Sequence, residues 1–286
     1  MDITLGNEQI FRLLPKLNMD QALEKAWGKK TSVFGSGLTG FFNRPKPEEV
    51  QITYSEYRYE PFWHVACNVH YEYDRTRSYN VPISAPEVQR VTIDGKDYSI
   101  AAKPRQFTIK GTEHCIEVAS TEVIFDAVRL QEQDWKKYLR FEKELVSDLS
   151  LIPIDGSIIV SPEMRASAVV RKVLALILRP IQADTIHEEK ANVNTVDLYF
   201  RPVYAFEYTW ETNGRTAVAE FDGLTGEITS GGVTFRQQVE KMMTRDLLFD
   251  VGAEAANVLL PGSGIAIRLA KEWKNSEKQD NITNEK

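Results

Sequence analysis

The sequence predicts an α+β fold: two related helix-on-antiparallel-sheet units followed by a C-terminal helical extension. Three observations carry that expectation. One strand-like stretch is written twice, as Tyr59-Glu-Pro-Phe-Trp-His-Val-Ala-Cys-Asn-Val-His-Tyr-Glu72 and Phe200-Arg-Pro-Val-Tyr-Ala-Phe-Glu-Tyr-Thr-Trp-Glu211. Each copy places an aromatic before a proline and then alternates. Side chains alternate across a strand, so Trp63, Val65, Cys67, Val69 and Tyr71 are expected to face a core, as are Tyr204, Phe206, Tyr208 and Trp210. A helical pattern precedes each copy, and Asp94-Gly95 and Asn213-Gly214 are hairpin signals.

The elements follow in order. Residues 19–27 read as a helix with Ala22, Leu23 and Trp27 on one stripe, ended by Gly28, with Gly35, Gly37 and Gly40 marking a loop. Residues 50–120 read as strands. Pro61 is expected at a strand's first position. Residues 91–93 and 98–100 form a hairpin, and 107–109 and 115–118 are two further short strands. Residues 133–149 read as a helix around Trp135, Leu139 and Leu145. Pro153, Asp155 and Gly156 then separate the halves.

A second helix opens with Ser161 as N-cap and Pro162 at its first position, and stops at Pro180. Strands 204–210 and 215–221 flank a type I′ turn at Asn213-Gly214. Helices 239–260 and 265–273 form a hairpin around Pro261-Gly-Ser-Gly264. The expected units are therefore 1–150, 151–232, 233–274 and a disordered polar tail, 275–286.

Within 162–230, the run Tyr204-Ala-Phe-Glu-Tyr-Thr-Trp, Asn213-Gly214 and Ala217-Val-Ala-Glu-Phe-Asp222-Gly-Leu-Thr-Gly226-Glu-Ile228 resembles the PepSY domain, with a looser echo over 44–100. The resemblance implies a helix packed across an antiparallel sheet. It also implies regulation of a peptidase, or another protein-binding role, and it brings no catalytic set with it.

Composition narrows the function classes. Hydrophobic residues at 42% and charged residues at 27% are those of a globular chain, and a net charge of −6 argues against a nucleic-acid partner. No basic segment leading an apolar core opens the chain, and no apolar run reaches the roughly 20 residues that cross a bilayer. A cytoplasmic location and two reduced thiols, Cys67 and Cys115, are expected. His64 and His70 lie about 20 Å apart on one strand, and Cys67 faces the other way, so the three hold no common metal. No cofactor is expected and no catalytic residue is assigned.

The expected function is a non-enzymatic protein-binding or scaffold role. Its partner is another protein or a second copy of the chain. The candidate docking face is the polar parity of both strands: His64, Asn68, His70, Glu72, Glu207, Thr209 and Glu211. Apolar residues Leu248, Phe249, Val258, Leu259, Ile265 and Ile267 are candidate association positions. They support one alternative, a peripheral membrane-surface or assembly factor. An unrecognised hydrolase is the other.

Overall fold

A computed structural model describes residues 1–35, 44–154, 156–232, 244–249 and 268–271. Among these, three long strands dominate: β3 (Val50–Pro82), β7 (Arg105–Asp126) and β11 (Thr185–Trp210). At about 3.3 Å per residue, the 33 residues of β3 would run roughly 110 Å if fully extended. The short strands are β1 (Asp2–Leu5), β2 (Glu8–Leu13), β4 (Arg90–Ile93), β5 (Lys96–Ser99), β6 (Ala101–Ala102), β8 (Gln131–Glu132), β9 (Lys143–Leu145) and β10 (Ile158–Ile159). After β11 come β12 (Arg215–Asp222), β13 (Ile228–Ser230) and β14 (Arg268–Lys271). The helices are α1 (Met19–Lys29), α2 (Ala166–Ile177) and the short α3 (Arg245–Phe249).

All but β4 and β5 join one 12-stranded sheet whose main path runs β13-β12-β11-β3-β7-β6. The fold is therefore predominantly β. The expected pair of α+β units with a helical extension is incorrect, for a topological reason. The two similar stretches are neighbours within one sheet, with Tyr59 opposite Pro202, Glu60 opposite Arg201 and Pro61 opposite Phe200. Each helix covers the strand of the other half. Ala22 and Ala26 of α1 pack on Tyr204, Phe206, Tyr208 and Trp210, and the Tyr208 hydroxyl donates to the Ala26 carbonyl at 3.1 Å. Val169, Val170 and Val173 of α2 pack on Trp63, Val65, Cys67 and Val69. Both helices lie on the same face, and the parity expected for 63–71 and 204–210 is the buried one.

Several local expectations fail for identifiable reasons. Pro61 lies well inside β3, and Pro202 well inside β11. On its outer edge β3 pairs with β10 at Arg58 and Tyr59 and with β7 from Phe62 onward. Likewise β11 pairs with β2 up to Phe200 and with β12 from Val203. Each proline thus falls at a handover between neighbours, where a missing N–H breaks no ladder. Residues 107–109 and 115–118 are one strand, β7. Segment 133–149 is a 3₁₀ turn (Lys136–Arg140) followed by β9, because Trp135 and Tyr138 turn inward on the sheet instead of lining a helix.

The loop after β11 holds four residues between Trp210 and Arg215, with positive φ at Gly214, so it is not the two-residue turn expected. The second helix begins at Ala166, later than its Ser161 signal. Residues 268–271 pair with β1 as a strand, where a helix was expected. The remainder of helices 239–260 and 265–273, with Val258, Leu259, Ile265 and Ile267, lies outside the described residues, as does the 275–286 tail.

Candidate functional site

The face opposite the helices carries alternating charge. On β3, Glu56, Arg58 and Glu60 are two residues apart, so all three point to this outer face. Arg201 lies directly across from Glu60, and Glu220 and Asp222 extend the row onto β12. Arg58, fully buried, donates to Glu56 at 2.7 Å, Glu60 at 2.8 Å and Glu220 at 2.5 Å. Arg201 donates to Glu60 at 2.5 Å and Asp222 at 3.2 Å, while its guanidinium lies 4.6 Å from the centre of the Trp135 ring. Burial alone would raise the Glu60 carboxyl, but Arg201 and Arg58 outweigh it and hold it below the usual range.

Segment 126–141 roofs this network. Arg129 reaches Glu220 at 3.1 Å, and the Tyr138 hydroxyl donates to Asp222. Asp222 also accepts from the Leu224 and Thr225 amides, so the Asp-Gly-Leu-Thr-Gly turn caps itself. Gly223 is required there: a Cβ would sit 2.9 Å from Pro202. A cavity of about 540 Å³ opens beside the network, walled by Arg129, Trp135, Lys137, Tyr138, Arg201 and Asp222, among others. The carboxylates of Glu60, Glu220 and Asp222 each have both oxygens engaged. Sequence reading missed this network, although Glu56-Tyr-Arg58-Tyr-Glu60 announces it by strict alternation of charge and aromatic.

The predicted docking residues are divided by this roof. His64, Asn68, His70, Glu72, Glu207 and Thr209 share the outer face, but Glu207 is 19 positions along β11 from Glu188, the partner of Glu72. That separation is roughly 60 Å along the strand. Glu207 and Thr209 each contact Thr53 of β3, at 3.3 and 3.0 Å, while Glu211 is exposed in the loop. His64, beside the roof, contacts Glu122 at 2.9 Å and leaves Nδ1 without a partner; burial lowers its pKa. Leu248 and Phe249 are buried in the core, with the Phe249 ring edge-on to Trp63 at 5.3 Å. Cys67 is also buried, which pushes its thiol up to about 11, and Cys115 is likewise a free thiol.

Asp197, on the outer face between His64 and Gln9, is raised to about 7 by burial, against Lys143 and the Gln9 amide. The folded value exceeds the unfolded one of about 3.9, so the native state binds the extra proton and stability falls as pH rises from about 4 to 7. Asp197→Asn is expected to stabilise the protein at pH 8 by on the order of 2 kcal/mol and to flatten that slope. Urea midpoints across the pH range would check it.

Beyond the roof, the outer face is uncovered among the described residues. Here His70, Glu72 and Asp74 alternate on β3. Asp74 is held between His114 at 2.7 Å and His187 at 2.9 Å, and both imidazoles lower its pKa. The thiol of Cys115 faces away from His114 and approaches the Glu113 carbonyl at 3.8 Å. On β7, Ile116 and Val118 are each 67% exposed. The outer edge of β7 pairs with β6 at Arg105 and Gln106 and with β8 at Phe125 and Asp126. Between 108 and 123 no described strand pairs with it.

Among the described residues no helix is long and apolar enough to cross a membrane. No family model, no curated protein and no solved structure matches the chain.

Proposed function

We propose that this is a non-enzymatic scaffold protein that docks another chain by strand addition to the outer edge of β7. The observation that supports it is the edge from 108 to 123, unpaired among the described strands, with Ile116 and Val118 exposed at its middle. Unpaired N–H and C=O groups along a β-branched strand are a template for a further strand. The cavity offers less to a catalytic reading, since its buried carboxylates are held in ion pairs rather than presented to a substrate.

The edge favours a second copy of itself. Antiparallel pairing must keep face with face, which leaves registers centred at 115, 116 or 117 near the exposed pair. Centring at 115 opposes Glu113 to Glu117, and centring at 117 opposes Glu117 to its own copy. Centring at 116 opposes Lys110 to Glu122 twice and Ile116 to Ile116, with no carboxylates facing each other.

This register gives a charge-exchange test. Lys110→Glu and Glu122→Lys are each expected to remain monomeric in sedimentation equilibrium, because each homodimer would oppose like charges at both ends. Mixed in equal amounts, they should form a heterodimer, and Ile116→Lys should abolish association of the parent chain. A parent chain that stays monomeric at high concentration, or single variants that dimerise as the parent does, would refute the reading.

A further inference from the structure

We propose that His70, Glu72 and Glu188 form a binding site for a divalent transition ion of the zinc class, clamping β3 to β11. The inference is independent of strand addition at β7. One imidazole nitrogen and two carboxylate oxygens lie within 4.8 Å of one another. Donors around a four-coordinate zinc ion are about 3.4 Å apart, a difference that small side-chain rotations close. The mixed nitrogen and oxygen set suits zinc or manganese better than magnesium, and the partial exposure of the group leaves room for water to complete the shell.

The register supplies an independent reason for a cation here. Glu72 lies directly opposite Glu188 across the antiparallel pair. Like charges in that arrangement repel, and alternation keeps both on the outer face. Lys190 pairs with Glu188 at 2.6 Å and is half exposed. An ion between the carboxylates would answer both and free that ammonium to water.

The backbone is adapted to the same place. The ladder between β3 and β11 shifts register between Ile186 and Glu188. This bulge aims His187 at Asp74, one alternating position beyond Glu72. Three of the chain's four histidines, His70, His114 and His187, therefore meet acidic groups at one end of the outer face. That end is where β11 begins and the sheet narrows from β11, β3 and β7 to the β3–β7 pair alone among the described strands. A metal ion would hold the first residues of β11 in register.

The test uses the full chain stripped of metal, titrated calorimetrically with zinc chloride. One ion per chain is expected, weakened about tenfold or more by His70→Ala and by Glu188→Gln, and unchanged by His64→Ala. Zinc should also raise the melting temperature of the parent but not of Glu188→Gln, whose matching shape and its own melt control for folding. No heat and no melting shift with millimolar zinc would overturn the proposal. So would undiminished binding by folded His70→Ala, or binding lost only in a His114→Ala, His187→Ala double variant.

Discussion

Replacing Arg58 by alanine is expected to lower folding stability by about 3–5 kcal/mol, read as a fall in the urea midpoint. Arg58 is fully buried and donates to Glu56, Glu60 and Glu220, so its removal leaves buried carboxylates one cation short, although Arg201 still reaches Glu60 and Arg129 still reaches Glu220. The loss measures the cost of those undercompensated charges more than the worth of the ion pairs. Adding Glu56→Gln and Glu60→Gln to Arg58→Met should therefore recover part of it. A triple variant no more stable than Arg58→Ala would show that the guanidinium's packing, not charge balance, dominates.

The same network sets an acid limit. Glu60 has a folded pKa below its unfolded value of about 4.3. Its contribution is complete above that unfolded value and is lost as pH falls through the lower folded one. The parent should thus lose stability steeply below about pH 4, and Glu60→Gln should lose less over that window while starting lower.

Trp63→Ala is the second large effect, at about 3–5 kcal/mol. Trp63 has no exposed surface, its Nε1 donates to the Met164 carbonyl at 2.8 Å, and it meets Phe249 of α3. Alanine would leave a cavity beneath α2 and an unpartnered carbonyl. Trp63→Phe keeps most of the ring contact and loses the hydrogen bond, so about 1–2 kcal/mol is expected. Equal losses for the two variants would place the energy in the hydrogen bond rather than in packing.

Burial parity was legible because two-residue alternation is a local property. Trp63 through Tyr71 and Tyr204 through Trp210 state it without reference to the rest of the chain. The β4–β5 hairpin was legible for the same reason, with Asp94 and Gly95 both at positive φ. Strand length was not. From Glu56 to Glu60 and from Asp74 to Asn80 both parities carry polar or aromatic residues, so the alternation lost its contrast where the sheet continued. Segment 133–149 misled because Trp135 and Leu139 keep helical spacing while serving a roof.

The candidate sites were the least legible part. Reading β3 alone put Cys67 on the face opposite His64 and His70 and found no ligand set among the three. The partners of His70 are Glu72 on its own strand and Glu188 on another, more than a hundred residues away. Only the register of β3 against β11 unites them. The β7 edge is likewise defined by which strands do not pair there, a property of topology and not of composition.

The placement of β11 between β3 and β12 has a consequence for synthesis. Val50 meets Trp210 and Asp74 meets Thr185, so the middle of the sheet closes only after most of the polypeptide has been made. Until then the β3–β7 ribbon waits on the ribosome with its inner margin bare, and Trp63 and Val65 lack their helix. Contacts so distant in sequence are slow to form and vulnerable to misassociation, which makes early protection of that nascent ribbon a requirement of its production.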